Sequence, residues 1–395
     1  MKYRYLAGAS AARMGDETSG PALLLLGFAV TGSAGAGSAL LAGVTIAAAA
    51  GGPLFGVVLD RSPRPERVLA GALAAYAAGI TAIQVSMGRL PLPLVVCLAV
   101  VTGLFGPAVA GGWTSQLPRL VSRDALARCS ALDAMTFGVA SLAGPAIAAV
   151  IAVWLGARPA VAVSAALVAL AVPAAWSLAP APVISTSKER LRRLLAGGVT
   201  VILARRALRR ATVTSVVSYM GIGMLLVCCP VLGQVRLGAA SRGALLISAA
   251  AVASLIANSV LARWPPRRPD TLVLASTLLL CLSMAAAAVA PGWLTMLAVG
   301  FSGAGEGPQL TGLLAVRHRE SPPAMRGQVF TTAASLKIGG LAAGTALAGL
   351  LVSRSVTICL LTAAGIQLAA AAAYLSIRTG KAASSERNPS SMVVS

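Results

Sequence analysis

Arg13, Asp16 and Glu17 follow one another at spacings of three and four residues, Glu306 and Lys337 stand singly in the second half of the chain, and all five interrupt long apolar stretches. On a helix the first three share one face, where Arg13 can partly neutralise the two acids. Three carboxylates against two cations leave one acid without a full-time partner. A carboxyl group so placed, away from bulk water, is suited to taking up and releasing a proton. Asp16 and Glu17 are therefore the first candidates for proton coupling and Glu306 the second, with Arg13 and Lys337 as charge partners. The structural alternatives are neutralisation of the first cluster by Arg13 and a static Glu306–Lys337 pair. Asp133, close to a run of arginines, is expected to pair with Arg128 or to meet water.

Composition dictates the elements that must hold these charges. Of 395 residues 57% are hydrophobic and 11% charged, with a mean hydropathy of +0.84, whereas soluble domains average about 25% charged residues. The chain is a polytopic membrane protein. Its apolar runs repeatedly reach the roughly 20 residues a helix needs to cross a bilayer, and their Ala, Gly and Leu content without alternation favours helices over a barrel. Twelve spans are predicted between residues 5 and 377. Residues 20–59 must hold a turn at TGSAGAGS, which leaves only Pro21 to Thr31 for the first crossing. That is too short, so the first span reaches back to Tyr5 and carries Arg13, Asp16 and Glu17 into the membrane. At about 2.5–3.5 kcal/mol each near the helix centre, these charges must face protein or a water-filled cavity rather than lipid.

The net charge of +21 resides in short basic clusters between apolar runs. Only Arg89, Arg158, Arg236, Arg242 and Arg354 fall on the opposite side, so the positive-inside rule places both termini in the cytoplasm. This pattern argues against a nucleic-acid partner. The six cysteines lie within or at the ends of apolar segments without a CxxC pair, and His318 is the sole histidine, so neither a metal site nor a cofactor is expected. The loops carry no nucleophile motif, acidic pair or phosphate loop, which argues against an enzyme.

Self-comparison shows a repeat about 200 residues apart: GLFGPAVAGG, with Gly106-Pro107, and GAGEGPQLTG, with Gly307-Pro308, each precede a basic loop. These pairs, and Gly144-Pro145 between them, are expected to break or kink their helices. Two parallel six-helix halves follow, 1–180 and 212–380, joined by a basic segment at 181–211 that could lie as an amphipathic helix on the inner leaflet. A disordered tail is expected at 381–395.

GVVLDRSPRPERV, from Gly56 to Val68, resembles the loop signature of the major facilitator superfamily, G-x-L-a-D-R-x-G-R-K. Gly56, Asp60, Arg61 and Arg64 match, while Val58, Pro63 and Pro65 depart from it. Asp60 falls at the C-terminal end of its helix, where the macrodipole disfavours an anion, so it needs cationic company from Arg61, Arg64 or Arg119. Such a contact would latch the inner helix ends. The resemblance implies an all-α fold of twelve transmembrane helices in two pseudo-symmetric bundles, and a charge contact made in the outward-open state and broken on switching. It further implies a small-molecule substrate and a bacterial plasma-membrane setting. GVASLAGPAIAA, from Gly138 to Ala149, is similar in part to the Gly-Pro signature of the superfamily's exporters. An interior offering few polar groups (Gln84, Gln116, Gln234, Asn258 and Gln309) suits amphipathic or hydrophobic substrates. The sequence thus predicts a monomeric, lipid-embedded secondary transporter of the drug or metabolite efflux type, coupled to protons. The alternatives are an importer of a small metabolite, a non-transporting sensor or a membrane-embedded enzyme.

Overall fold

The computed structural model describes residues 2–178, 191–239 and 242–377. Among these it contains thirteen α-helices. The first half comprises α1 (Lys2–Thr31), α2 (Ala34–Arg61), α3 (Pro65–Ser86), α4 (Leu92–Gly103), α5 (Arg123–Leu155) and α6 (Ala157–Trp176). A shorter α7 (Leu191–Ala204) precedes α8 (Arg206–Leu237), α9 (Gly243–Arg263), α10 (Pro269–Val289), α11 (Leu294–Glu320), α12 (Arg326–Val352) and α13 (Val356–Ser376). The expected linker therefore falls partly on α7 and the start of α8 and partly outside the described residues, as does the whole of the expected tail.

Among the described residues, ten helical segments are long and apolar enough to cross a membrane. The long helices α1 and α11 are not among them, and these are the helices that carry Arg13, Asp16 and Glu17, and Glu306 and Arg317. Their 30 and 27 residues span about 40 Å or more at 1.5 Å per residue, so only their composition sets them apart. The chain is a multi-pass membrane protein. Helix α1 starts at Lys2, as the argument from the length of the first crossing required, and runs uninterrupted through Gly15, Gly20 and Pro21. It stops where Gly32 takes a left-handed φ of 70°, a conformation that costs glycine little.

Two hydrophobic cores lie apart. One is built from α1 to α6, with Tyr5, Tyr76 and Trp113 among its largest buried side chains, and the other from helices α8 to α13 around Met224, Leu280 and Met284. The halves repeat a device at the loop end. Helices α3 and α10 each start at a proline followed by an acid, Glu66 or Asp270. Asp270 pairs with Arg319 at 2.9 Å and with Arg210, while Glu66 lies in the field of Arg119.

The halves meet through α2 against α12 and α5 against α9. The amide N–H of Gly52 donates to Ser335 Oγ at 3.1 Å, and that hydroxyl donates to the Ala48 carbonyl at 2.8 Å. A Cβ on Gly56 would meet Thr331 Oγ1 and lie 2.5 Å from Gln328 Cα, and one on Gly111 would lie 2.5 Å from the Phe330 carbonyl oxygen. Only glycine allows backbones this close. Ala134, Leu310, Leu314 and Phe330 bury one another in the same region, and Ser259 of α9 lies 3.9 Å from Met135 of α5. These contacts cluster in the halves of the helices nearest the basic loops, and close the interface there.

Candidate functional site

Arg13 is 1% exposed and does not pair with its sequence neighbours. It turns across to α5, where its guanidinium donates to Asp133 Oδ1 at 2.9 Å, to the Asp133 carbonyl at 2.9 Å and to Thr136, and it donates to Thr114 Oγ1 at 2.9 Å. Asp133, 0% exposed, also accepts from the hydroxyls of Tyr5 at 2.8 Å and Thr114 at 2.9 Å. Two expectations are corrected here. Arg13 does not neutralise the α1 acids, and Asp133 neither pairs with Arg128 nor meets water. A fully desolvated carboxylate costs several kcal/mol unless its lone pairs are filled, and this pocket fills them with a cation and two hydroxyls. The face of the Phe137 ring, 3.6 Å from the guanidinium carbon, completes the enclosure.

With Arg13 committed elsewhere, Asp16 and Glu17 hold only neutral hydrogen-bond partners. Tyr76 donates its hydroxyl to Asp16 Oδ1 at 2.6 Å and Ser141 donates to Glu17 Oε1 at 3.1 Å. Both carboxylates keep partial solvent access. Across the interface, Glu306 lies 3.5 Å from the Tyr219 hydroxyl and is also partly exposed. Lys337 makes no ion pair among the described residues, so the expected static pair with Glu306 is replaced by a longer-range arrangement. Its Nζ sits 4.3 Å from the Tyr219 ring centre and 5.5 Å from that of Phe137, in the fields of Glu306, Glu17, Arg317 and Arg13. Glu17 and Glu306, acids of opposite halves, thus lie within each other's field and that of Lys337, all three partly exposed.

Asp60 finds its partner in the other half. Its carboxylate accepts the amide N–H groups of Gly327 at 2.7 Å and Gln328 at 2.8 Å. These are orphan donors at the positive end of the α12 dipole. The expected salt bridge to Arg61, Arg64 or Arg119 is absent among the described residues. Arg61 is half-exposed and Arg64 exposed, while Arg119 contributes only its field and donates to Gln116 Oε1 at 3.0 Å. Burial lowers the pKa of Arg119, against the opposing effect of Asp60 and Glu66.

Of the three Gly-Pro pairs, only Gly106-Pro107 interrupts its helix: α4 stops at Gly103 and resumes as a π-helical turn over Ala108–Gly112. Helices α5 and α11 run continuously through Gly144-Pro145 and Gly307-Pro308. There glycine serves approach instead, since a Cβ on Gly144 would lie 2.6 Å from Glu17 Cβ and one on Gly307 2.7 Å from Asn258 Nδ2. Three of the polar side chains expected to line the cavity bond within their own half. Gln309 bonds Ser218 and Thr277 within the second half, Asn258 accepts from Thr311, and Gln84 donates to the Arg158 carbonyl. The sequence argument also missed Arg317 and His318. Both stand in the last turn of α11, at its basic end, yet they are 3% and 4% exposed. Their eleven- and twelve-residue distance from Glu306 along an unbroken helix was the available signal.

A fold of long apolar helices in two halves, with acids at a partly solvated interface and one end sealed, is that of a membrane transporter rather than an enzyme. A family model described as Major Facilitator Superfamily matches residues 5–345, and the chain belongs to that superfamily. It is 30% identical over 336 residues to an uncharacterized MFS-type transporter, y4rN, of Sinorhizobium fredii, covering 82% of each chain. The fold is similar to that of a bacterial homologue of the iron transporter ferroportin in an outward-facing state, with a TM-score of 0.77, 13% identity, and 95% of this chain and 98% of that one covered. The human organic anion transporter MFSD10 superposes with a TM-score of 0.75 at 15% identity, over 94% of this chain and 98% of that one. The proton:xylose symporter XylE gives the same score and identity, with 94% of each chain covered.

Proposed function

We propose that this protein exports a small amphipathic or hydrophobic molecule across the plasma membrane by alternating access, exchanging it for protons. In this reading twelve helices cross the bilayer as two six-helix bundles, residues 1–180 and 212–380, with both termini and the 181–211 linker cytoplasmic. The end bearing the basic loops then faces the cytosol, and the sealed α2–α12 and α5–α9 contacts correspond to an outward-open state. The observation that carries the proposal is the set of Asp16, Glu17 and Glu306, partly solvated and held by neutral hydroxyls rather than by ion pairs. A carboxylate without a permanent counter-ion can alternate between proton and substrate as the halves rock. The solved structures named above are a homologue of an iron transporter, an organic anion transporter and a proton:xylose symporter, so the fold leaves the cargo open and the cavity must decide it.

The test is reconstitution in proteoliposomes enclosing a pH-sensitive dye, with a panel of amphipathic dyes and antibiotics supplied under an imposed pH gradient. Proton movement linked to transport of at least one of these solutes is expected, and Glu17→Gln with Glu306→Gln should abolish it. Solute-linked proton movement unchanged in the double variant removes the coupling assignment. Accumulation in cells of a sugar or organic acid alone reverses the direction.

A further inference from the structure

Lys337 is placed unusually for an ammonium group among acids. A compact, strongly hydrated lysine cation gains most from direct contact with a carboxylate, and two carboxylates, Glu17 of α1 and Glu306 of α11, are near enough for their fields to act on it. Neither comes within 4.0 Å. Two aromatic rings from opposite halves face Lys337, with the ring centres of Tyr219 of α8 and Phe137 of α5 at 4.3 and 5.5 Å from its Nζ. The other charges facing it, Arg317 of α11 and Arg13 of α1, are positive, and Arg13 is neutralised by Asp133. Aromatic faces with negative charge held one shell away are the recognition chemistry of a larger, weakly hydrated organic cation.

We propose that Lys337 is a tethered stand-in for an alkyl- or aryl-substituted ammonium ligand, occupying a cation subsite walled by Phe137 and Tyr219 between Glu17 and Glu306. The inference rests on the reading of this interface as the translocation site, and narrows its substrate class to hydrophobic organic cations. The four-carbon stem lets the ammonium leave when such a ligand enters, so Lys337 is the ligand's internal competitor and stabilises the acids of the empty carrier. The subsite draws one wall from each half, so an occupant bridges the interface that alternating access must rearrange.

The test compares two probes of one shape and opposite charge, tetraphenylphosphonium and tetraphenylborate, by equilibrium dialysis against the full-length protein in lipid nanodiscs. Lys337→Ala is expected to bind the cation at least tenfold more tightly than the wild type, about 1.4 kcal/mol, with Lys337→Arg unchanged. Adding Phe137→Leu to Lys337→Ala should remove the gain, and the borate should show none. Lys337→Ser provides the same comparison if the alanine variant does not fold. No gain for the cation, or an equal gain for the anion, overturns the subsite. Proton-coupled movement of an uncharged solute together with no gain in Lys337→Ala sinks the subsite alone. A gain in that variant with no solute-linked proton movement by the wild type supports the subsite while the export reading fails.

Discussion

Asp133→Asn isolates the claim that Arg13 belongs to α5 and not to the acids beside it. Both members of the pair are within 1% of complete burial, and Asp133 accepts from Arg13, Tyr5 and Thr114 at 2.8–2.9 Å. An asparagine amide turns one of those acceptors into a donor facing donors, and leaves the guanidinium charged in a dry site. Breaking a buried pair from one side costs about 3–5 kcal/mol. For a cooperative unit the size of the first half, each kcal/mol shifts the midpoint by about 2–4 °C, so a fall of about 6–20 °C is expected. Four of the six cysteines are buried, Cys129 among them, so unfolding in detergent can be followed with a thiol-reactive fluorophore. Asp16→Asn serves as the contrast, because it weakens one hydrogen bond from Tyr76 and should cost about 1 kcal/mol. Had Arg13 neutralised the α1 acids, the order of severity would be reversed. A loss below about 1 kcal/mol for Asp133→Asn, or one no larger than that of Asp16→Asn, refutes the reasoning.

The sealed end offers two more tests. Gly56→Val must push α2 away from Thr331 and Gln328; a cysteine placed at Thr331, which is 0% exposed, should then react severalfold faster with a maleimide, and an unchanged rate counts against the glycine contact as the seal. Asp60→Asn removes the anion from the start of α12, worth about 0.3–2 kcal/mol, so the equilibrium should move up to about thirtyfold toward separation of the α2 and α12 ends. Spin-label distances between those ends report the shift, and an unaltered distribution shows that the amide contact does not hold the closed end.

Much of this architecture is legible in the one-dimensional pattern because it depends on local quantities. The length of apolar chain needed to cross a bilayer pointed to a first helix reaching back to Tyr5, and α1 starts at Lys2. Helical periodicity predicted one shared face for Arg13, Asp16 and Glu17, and the repeated Gly-Pro pairs pointed to two halves cut from one template. The family's loop signature at Gly56 to Arg64 pointed to Asp60 as a latch residue, although the cations expected to hold it do not.

Partners were beyond reach of the same reasoning. A periodicity says which way a side chain leaves its own helix, but not which helix stands opposite. Asp133 is 120 residues from Arg13, and the α12 amides are 267 and 268 residues from Asp60. A peptide N–H at a helix start is invisible to any count of lysines and arginines, yet in a low-dielectric interior it serves an anion as well as a salt bridge. Apolar run lengths and charge spacing were enough to say which charges interrupt long helices and which helices carry them. Only the packing of helix against helix, within each half and between the two, decided that Arg13 is silenced by Asp133, that Asp16, Glu17 and Glu306 are left without counter-ions, and that Lys337 rests on aromatic faces, because burial and hydrogen-bond satisfaction are properties of the assembled bundles.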